Sequence, residues 1–402
     1  MKAFFKNLAN LMHQSLPEAN FAIEFWDGDS IRIGESPEVT LLLTSKKGAQ
    51  RIIEAGFLGF AEAYMGEELE IEGDLQALFR LGLAIDFHES KISLNQKLRF
   101  LLRTLLNRGT VRKAPKNITY HYDRGNDFYS LYLDKSMTYS CGYFIHPGDS
   151  LDQAQENKYN HICRKLLLKA GESLVDIGCG WSGMLIYAAR HYDINGVGCT
   201  LSRGQFEFSN SKIRELGLQD RIKVVYQDYR EMKGRFDKFV SIGMFEHVGK
   251  KYFSAFFKKV KQLLKEGGMG LLHSIGKDTP SAGDPWTLKY IFPGGYIPTI
   301  SEMLDGAGKV GFSVLDMENL RLHYARTLDC WLDNYERNID KVKKMFDESF
   351  VRRWRLFFCS SAAGFRYGES RLFQILFSNG LNNDLPTTRE YIYHHKTSEV
   401  AP

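Results

Sequence analysis

The chain has 402 residues, 44% of them apolar and 25% charged, with a net charge of +5. That length suits two or three domains with full cores, and so mild a charge makes its placement more informative than its total. Six cysteines (141, 163, 179, 199, 330 and 359) form neither a CxxC pair nor a zinc-like cluster with histidines, so they read as reduced cytosolic thiols, five of them buried. The apolar N-terminus is broken by Lys6, Asn7 and Asn10, and no run approaches the roughly 18 apolar residues of a membrane span. A soluble cytoplasmic protein is expected, with any membrane contact peripheral.

Residues 1–90 read as a small α/β domain. A helical start (Phe4, Leu8, Leu11, Met12) precedes alternating strands at 22–25 and 30–33 and a third at 39–44. An apolar, glycine-punctuated stretch at 56–66 and a run at 69–74 then lead to a helix at 75–83. No catalytic constellation stands out here, which leaves a lipid-binding or scaffold role.

Residues 91–117 carry eight Lys or Arg and no acid, with Leu94, Leu98, Leu101, Leu102, Leu105 and Leu106 at helical spacing. A basic amphipathic helix and linker of this kind suits an anionic membrane surface. An interdomain helix with a solvated basic face reads the same residues equally well. No aromatic stacking set accompanies the charge, which argues against nucleic acid.

From 118 the texture changes. Aromatic, hydroxyl and small residues crowd the non-periodic stretches 121–129 and 137–144, as in a site-lining segment; a Tyr-rich packing layer is the alternative. A helix at 151–168 delivers the chain to Leu174-Val-Asp-Ile-Gly-Cys-Gly-Trp-Ser-Gly183. There an apolar strand carrying one carboxylate, Asp176, enters a glycine-dense turn, and a helical pattern resumes at 184–190. Gly178, Gly180 and Gly183 admit a ligand close to the backbone, and their spacing also fits the dinucleotide pattern GxGxxG.

A dinucleotide site needs an acid at the end of the second strand, about 20 residues on. This second strand, 196–202, ends instead in Thr200, Leu201 and Ser202, with Gln205 a turn later. The acids stand at Asp176 and, after a third strand, at Asp228 beside Gln227, where an amide and a carboxylate can meet an adenine amine. This is the pattern of an S-adenosylmethionine site, with NAD a minor alternative.

The doubly wound pattern continues with strand four at 236–243, strand five at 268–275, and the segment 244–249 at the strand end where such sheets place their ligands. Residues 276–380 are too long for an ordinary connection. They hold Trp286, a strand at 312–316 and an aromatic helix pattern around 350–365, and an insertion this apolar can shape a cavity for a long hydrophobic substrate.

The segments 121–129, 138–144, 174–183, 244–249, 273–275 and 323–328 together resemble the cyclopropane-fatty-acyl-phospholipid synthases and the related mycolic acid cyclopropane synthases. The resemblance runs over about 118–380, and residues 1–90 resemble the N-terminal domain of the bacterial phospholipid synthases. One departure is visible: Ser182 stands where the family usually has a second glycine after Trp181. Serine is small, so little harm to nucleotide binding is expected.

The resemblance implies an α/β, doubly wound, Rossmann-like class I S-adenosylmethionine-dependent methyltransferase with a lid insertion at 118–402, behind a small N-terminal α/β domain at 1–90 and a basic linker at 91–117. It implies methyl addition to a cis double bond of a phospholipid acyl chain, then proton loss from a carbocation to close a cyclopropane ring. A bicarbonate ion is the implied proton acceptor, held by Cys141, Glu246, His273, Ile275 and Tyr324. The implied cofactor site takes Tyr139, Ser140, Asp176, Gly178, Cys179 and Gly180, then Thr200, Leu201, Ser202, Gln205, Gln227, Asp228 and Phe245. A homodimer at the cytoplasmic, inner face of the membrane is implied too, with no metal. A methyl-branched product, a soluble small-molecule substrate, and a lipid-binding module with an inert core are the alternatives.

Overall fold

The computed structural model describes residues 1–85 and 125–393. The basic segment expected at 91–117 and the start of the aromatic stretch, 121–124, lie outside the described residues. The chain divides into two compact units.

The first unit is built on a four-stranded sheet of β1 (Phe21–Glu24), β2 (Ser30–Ile33), β3 (Val39–Leu43) and β4 (Leu69–Gly73), in the order β2-β1-β3-β4. β1 and β3 are parallel and the outer pairs antiparallel. β3 buries Val39, Leu41 and Leu43 by strict alternation, the period of a strand with one face on the core. The helix Lys46–Met65 starts where the Ser45 hydroxyl accepts from the Gly48 N–H, and it bends at Gly56, whose φ of 56° only glycine adopts readily. All the N-terminal elements expected from the sequence are present.

Two later segments, Gly283–Pro293 and Leu328–Glu369, belong to this unit, although the sequence suggested one continuous catalytic domain from 118 to 402. The cause is the helix Glu348–Tyr367, which buries Phe350, Val351, Trp354, Phe357 and Phe358. Its Arg352 donates to both Glu70 carboxylate oxygens (2.7 and 3.0 Å) and to the Tyr64 carbonyl (3.2 Å). A guanidinium held this way has its fixed fork of donors satisfied within the N-terminal unit.

The second unit carries a seven-stranded sheet: β5 (Ser173–Ile177), β6 (Asn195–Thr200), β7 (Ile222–Tyr226), β8 (Phe236–Ile242), β9 (Leu264–Gly276), β10 (Phe312–Asn319) and β11 (Arg371–Asn379). The order is β10-β11-β9-β8-β5-β6-β7. β7, β6, β5, β8 and β9 run parallel, and β11 enters antiparallel between β9 and β10. One core layer gathers Phe239, Phe245, Phe253, Phe256 and Phe257, and another Ile162, Leu166, Met184, Leu185 and Ala188. β11 is the strand that the sequence reading did not find. It is buried almost throughout, and a strand covered on both faces loses the alternation that would reveal it. Of the six cysteines, Cys330 is half-buried and the other five are buried.

Candidate active site

β5 brings Asp176 to the edge of a backbone turn. The residue is 2% exposed and its Oδ1 has no protein partner; burial raises its pKa to about 7 against the pull of the Lys158 charge. The N–H groups of Gly178 and Cys179 both donate to the Cys199 carbonyl (3.1 and 3.0 Å), tying the turn to β6. A Cβ at Gly178 would strike Met244 at 2.6 Å, while one at Gly180 would meet nothing within 4 Å. The turn is thus packed on one side and open on the other. Ser182 takes φ 68°, a left-handed conformation natural to glycine, which gives a physical reason for a glycine at that place.

At the end of β6, the Thr200 hydroxyl lies 2.8 Å from Gln205 Oε1 and accepts from the Ser202 N–H at 3.1 Å. Ser202 in turn caps the helix Arg203–Glu215. Leu201 is 40% exposed between them. Beyond β7, Arg230 grips Asp228 through two hydrogen bonds (2.9 and 2.7 Å) and keeps its carboxyl below the usual range; Gln227 rests its amide on Met232 Sδ at 3.0 Å. Phe245 differs from the rest. Its ring is fully buried and stacks on Phe253 at 4.3 Å, so it serves the core and leaves only its backbone to a ligand.

The turn Tyr139-Ser140-Cys141 is held from the helix Leu151–Lys165. Gln155 donates to the Ser140 carbonyl (2.8 Å), and Lys158 donates to the Ser140 hydroxyl (3.0 Å) and to Gln155 Oε1 (2.8 Å). Lys158 is fully buried, and burial lowers its pKa to about 7. Sequence reading missed both residues; the one available signal was a polar pair three apart on a helix face that must pack. Tyr139 keeps its ring against Tyr129 at 5.4 Å and Tyr132 at 6.3 Å.

The second group of expected residues gathers at the ends of β8 and β9. Glu246 lies on the single turn Phe245–His247; its Oε1 accepts from the Ile275 N–H at 2.6 Å and its Oε2 is buried without a protein partner. Burial raises this carboxyl to about 7. His273 stands two residues before Ile275 on β9, its Nδ1 3.2 Å from the Gln374 amide nitrogen and its Nε2 without a partner. Burial holds the ring well below the ordinary histidine pKa.

Cys141 is fully buried, with Sγ 3.1 Å from the Gly142 carbonyl and 4.0 Å from that of Leu320. The Tyr324 N–H donates to the same Leu320 carbonyl (3.1 Å), and the Leu320 N–H donates to the Leu372 carbonyl (2.8 Å). Leu372 pairs with Ile275 across the β9–β11 ladder. A chain of side-chain and backbone hydrogen bonds, with the β9–β11 ladder, therefore links all five residues. Glu246 Oε2 and His273 Nε2 are each buried without a protein partner, and a carboxyl and an imidazole can each bond a small polar ligand there. Asp176 Oδ1, beside the open Gly180, suits the hydroxyl or ammonium donors of a nucleoside cofactor.

A largely parallel sheet with one antiparallel strand inserted beside its edge strand, and a glycine turn after its first strand, defines a class I S-adenosylmethionine-dependent methyltransferase. Residues 110–375 match the family described as mycolic acid cyclopropane synthetase, and the chain belongs to that family. Residues 7–93 match a domain of unknown function. A probable fatty acid methyltransferase of Pseudomonas putida is 36% identical over 92% of this chain and 95% of its own. The cyclopropane-fatty-acyl-phospholipid synthase of Escherichia coli K12 is 33% identical over 93% of this chain and 98% of its own. A mycolic acid cyclopropane synthase solved with SAH and CTAB aligns with a TM-score of 0.63 and 31% identity, covering 65% of this chain and 97% of that one. Among the described residues, no helix is long and apolar enough to cross a membrane.

Proposed function

We propose that this methyltransferase acts on cis double bonds of unsaturated phospholipid acyl chains and closes them to cyclopropanes, with bicarbonate accepting the proton. The observation that carries the reading is a pair of buried polar atoms free of protein partners, Glu246 Oε2 and His273 Nε2, on residues tied to Ile275, Glu246 by its hydrogen bond to the Ile275 N–H and His273 by standing two residues before it on β9. When bound, S-adenosylmethionine supplies an electrophilic methyl on a sulfonium, and bicarbonate a basic oxygen. Asp176 and the turn from Gly178 to Gly180 hold the cofactor, with Thr200, Ser202, Gln205, Gln227 and Asp228 along its nucleoside and Leu201 packed against it. Tyr139 and Ser140 close the site from the opposite loop.

An alkene is a poor nucleophile, so most of the work is alignment, which can be worth roughly 7–11 kcal/mol. Tyr139 is the half-buried ring of its cluster, and an aromatic face favours a nearby cation by about 0.5–2 kcal/mol. Glu246, with a pKa of about 7, can share a proton with its surroundings without first being forced into either state. Peripheral contact with the inner face of the membrane through the basic segment 91–117, and assembly as a homodimer, belong to the same reading.

Labelled S-adenosylmethionine, vesicles of cis-unsaturated phospholipid, and chromatography of the released acyl chains test it, with and without bicarbonate. A cyclopropane peak that grows with bicarbonate is the expected result; no transfer to lipid sinks the reading. The Pseudomonas putida relative, named a probable fatty acid methyltransferase, favours a second reading in which the product is methyl-branched. A branched-chain peak in the same chromatogram selects it.

A further inference from the structure

Gln374 stands in the middle of β11, fully buried and directly across the antiparallel ladder from His273. Side chains paired in this way share one face of the sheet and touch. The amide nitrogen lies 3.2 Å from His273 Nδ1, and the amide oxygen meets no protein partner. Amide orientation is assigned from the hydrogen-bond network, and across this pair either orientation leaves one donor and one acceptor without a protein partner. What selects the orientation is the function proposed above: an anionic oxygen facing His273 Nε2 calls for a proton on that nitrogen, which leaves the Nδ1 lone pair to the amide.

The amide N–H therefore donates to Nδ1, so Nδ1 carries the lone pair and the ring proton sits on Nε2. Burial keeps the ring neutral, with the charges of Lys158, Lys165 and His161 reinforcing this and Glu318 opposing it. Gln374 adds no charge to that set. A neutral imidazole protonated on Nε2 can donate a hydrogen bond there but cannot take up a proton there.

We propose that Gln374 is a positioning residue that fixes His273 in the Nε2–H tautomer, making His273 a hydrogen-bond donor to an anionic oxygen and not the proton acceptor of the reaction. Both the tautomer and the role of His273 rest on the function proposed above. That leaves the basic oxygen of bicarbonate as the proton acceptor, as in the function proposed above.

The test is long-range proton–nitrogen NMR on full-length protein labelled at histidine nitrogens, with the His273 signal located by its loss in His273→Asn. The wild type is expected to show a protonated Nε2 and a bare Nδ1. In Gln374→Glu the new carboxylate accepts from the ring, so a protonated Nδ1 should appear and the acid limb of the kcat profile should move to higher pH. That variant is expected to lose roughly 10- to 100-fold in kcat, the range for partners that orient a histidine, with KM for S-adenosylmethionine within twofold. Gln374→Met, similar in volume but without the amide, should give a mixture of tautomers and controls for folding of the glutamate variant. A protonated Nδ1 in the wild type, or an unchanged tautomer in both variants, overturns the proposal. Because the spectra need no turnover, that failure is distinct from a failure to methylate lipid.

Discussion

A carboxyl with one oxygen fixed on a backbone N–H and the other without a protein partner, poised near neutrality, is the most chemically loaded group in this molecule. Glu246→Gln keeps an oxygen for the Ile275 N–H but removes the exchangeable proton. We expect kcat to fall by roughly 100-fold or more, as for loss of an acid–base group, with cofactor affinity by calorimetry within a few-fold. Normal turnover would remove Glu246 from the mechanism. Asp176 shows the same chemistry acting on stability. Both acids have folded-state pKa values raised by burial to about 7, so the folded protein binds more protons than the unfolded chain between about pH 4 and 7. The stability they give is fully present below their unfolded values and is lost as pH rises through about 7. Asp176→Asn is therefore expected to raise the cofactor-free Tm at pH 8, by the equivalent of on the order of 2 kcal/mol, and to leave it unchanged near pH 4. Its affinity for S-adenosylmethionine should collapse. A lower Tm at pH 8 would mean that Lys158 already compensates the charge.

At the scale of elements, the turn from β5 into the helix Gly183–Tyr192 holds its shape partly against the preference of its own sequence. Ser182 is buried in the left-handed region, with its hydroxyl 3.8 Å from Cys179 Sγ. That conformation costs a non-glycine residue about 1–2 kcal/mol, part of which glycine returns to the flexible unfolded chain. Ser182→Gly should thus leave Tm equal or slightly higher and cofactor affinity within twofold. A clear fall in Tm would show that the hydroxyl contact outweighs the strain. β5, its turn and Asp176 were legible because an apolar strand, a glycine cluster and a lone acid each have a sequence form. β11 was not, since nothing in Leu-Phe-Gln-Ile-Leu-Phe alternates, and with it went Gln374, whose meaning comes only from standing opposite His273. Phe245 stands after β8, where such sheets place their ligands, and its ring turns into the core, which leaves its backbone to the site.

For the whole molecule, the consequential departure from the sequence is that the N-terminal unit is not contiguous. Sequence windows see neighbours, whereas Arg352 and Glu70 are 282 positions apart. Gln76 likewise bonds Asp329 at 2.9 Å and Arg366 at 2.6 Å, and Phe57 meets the edge of Trp286 at 6.0 Å. An excised 1–90 fragment would lose every one of these partners and expose the surfaces that the helix Glu348–Tyr367 covers. Each large apolar side chain so uncovered forfeits about 1.5–3 kcal/mol, and domain stabilities total only about 5–15 kcal/mol. Four or five such losses are enough to cancel the fold. The fragment 1–90 is therefore expected to show no cooperative thermal transition and no near-ultraviolet circular dichroism, under conditions where the full chain shows both. A sharp, reversible transition in the fragment would instead make 1–90 an autonomous domain, with residues 328–369 merely resting upon it.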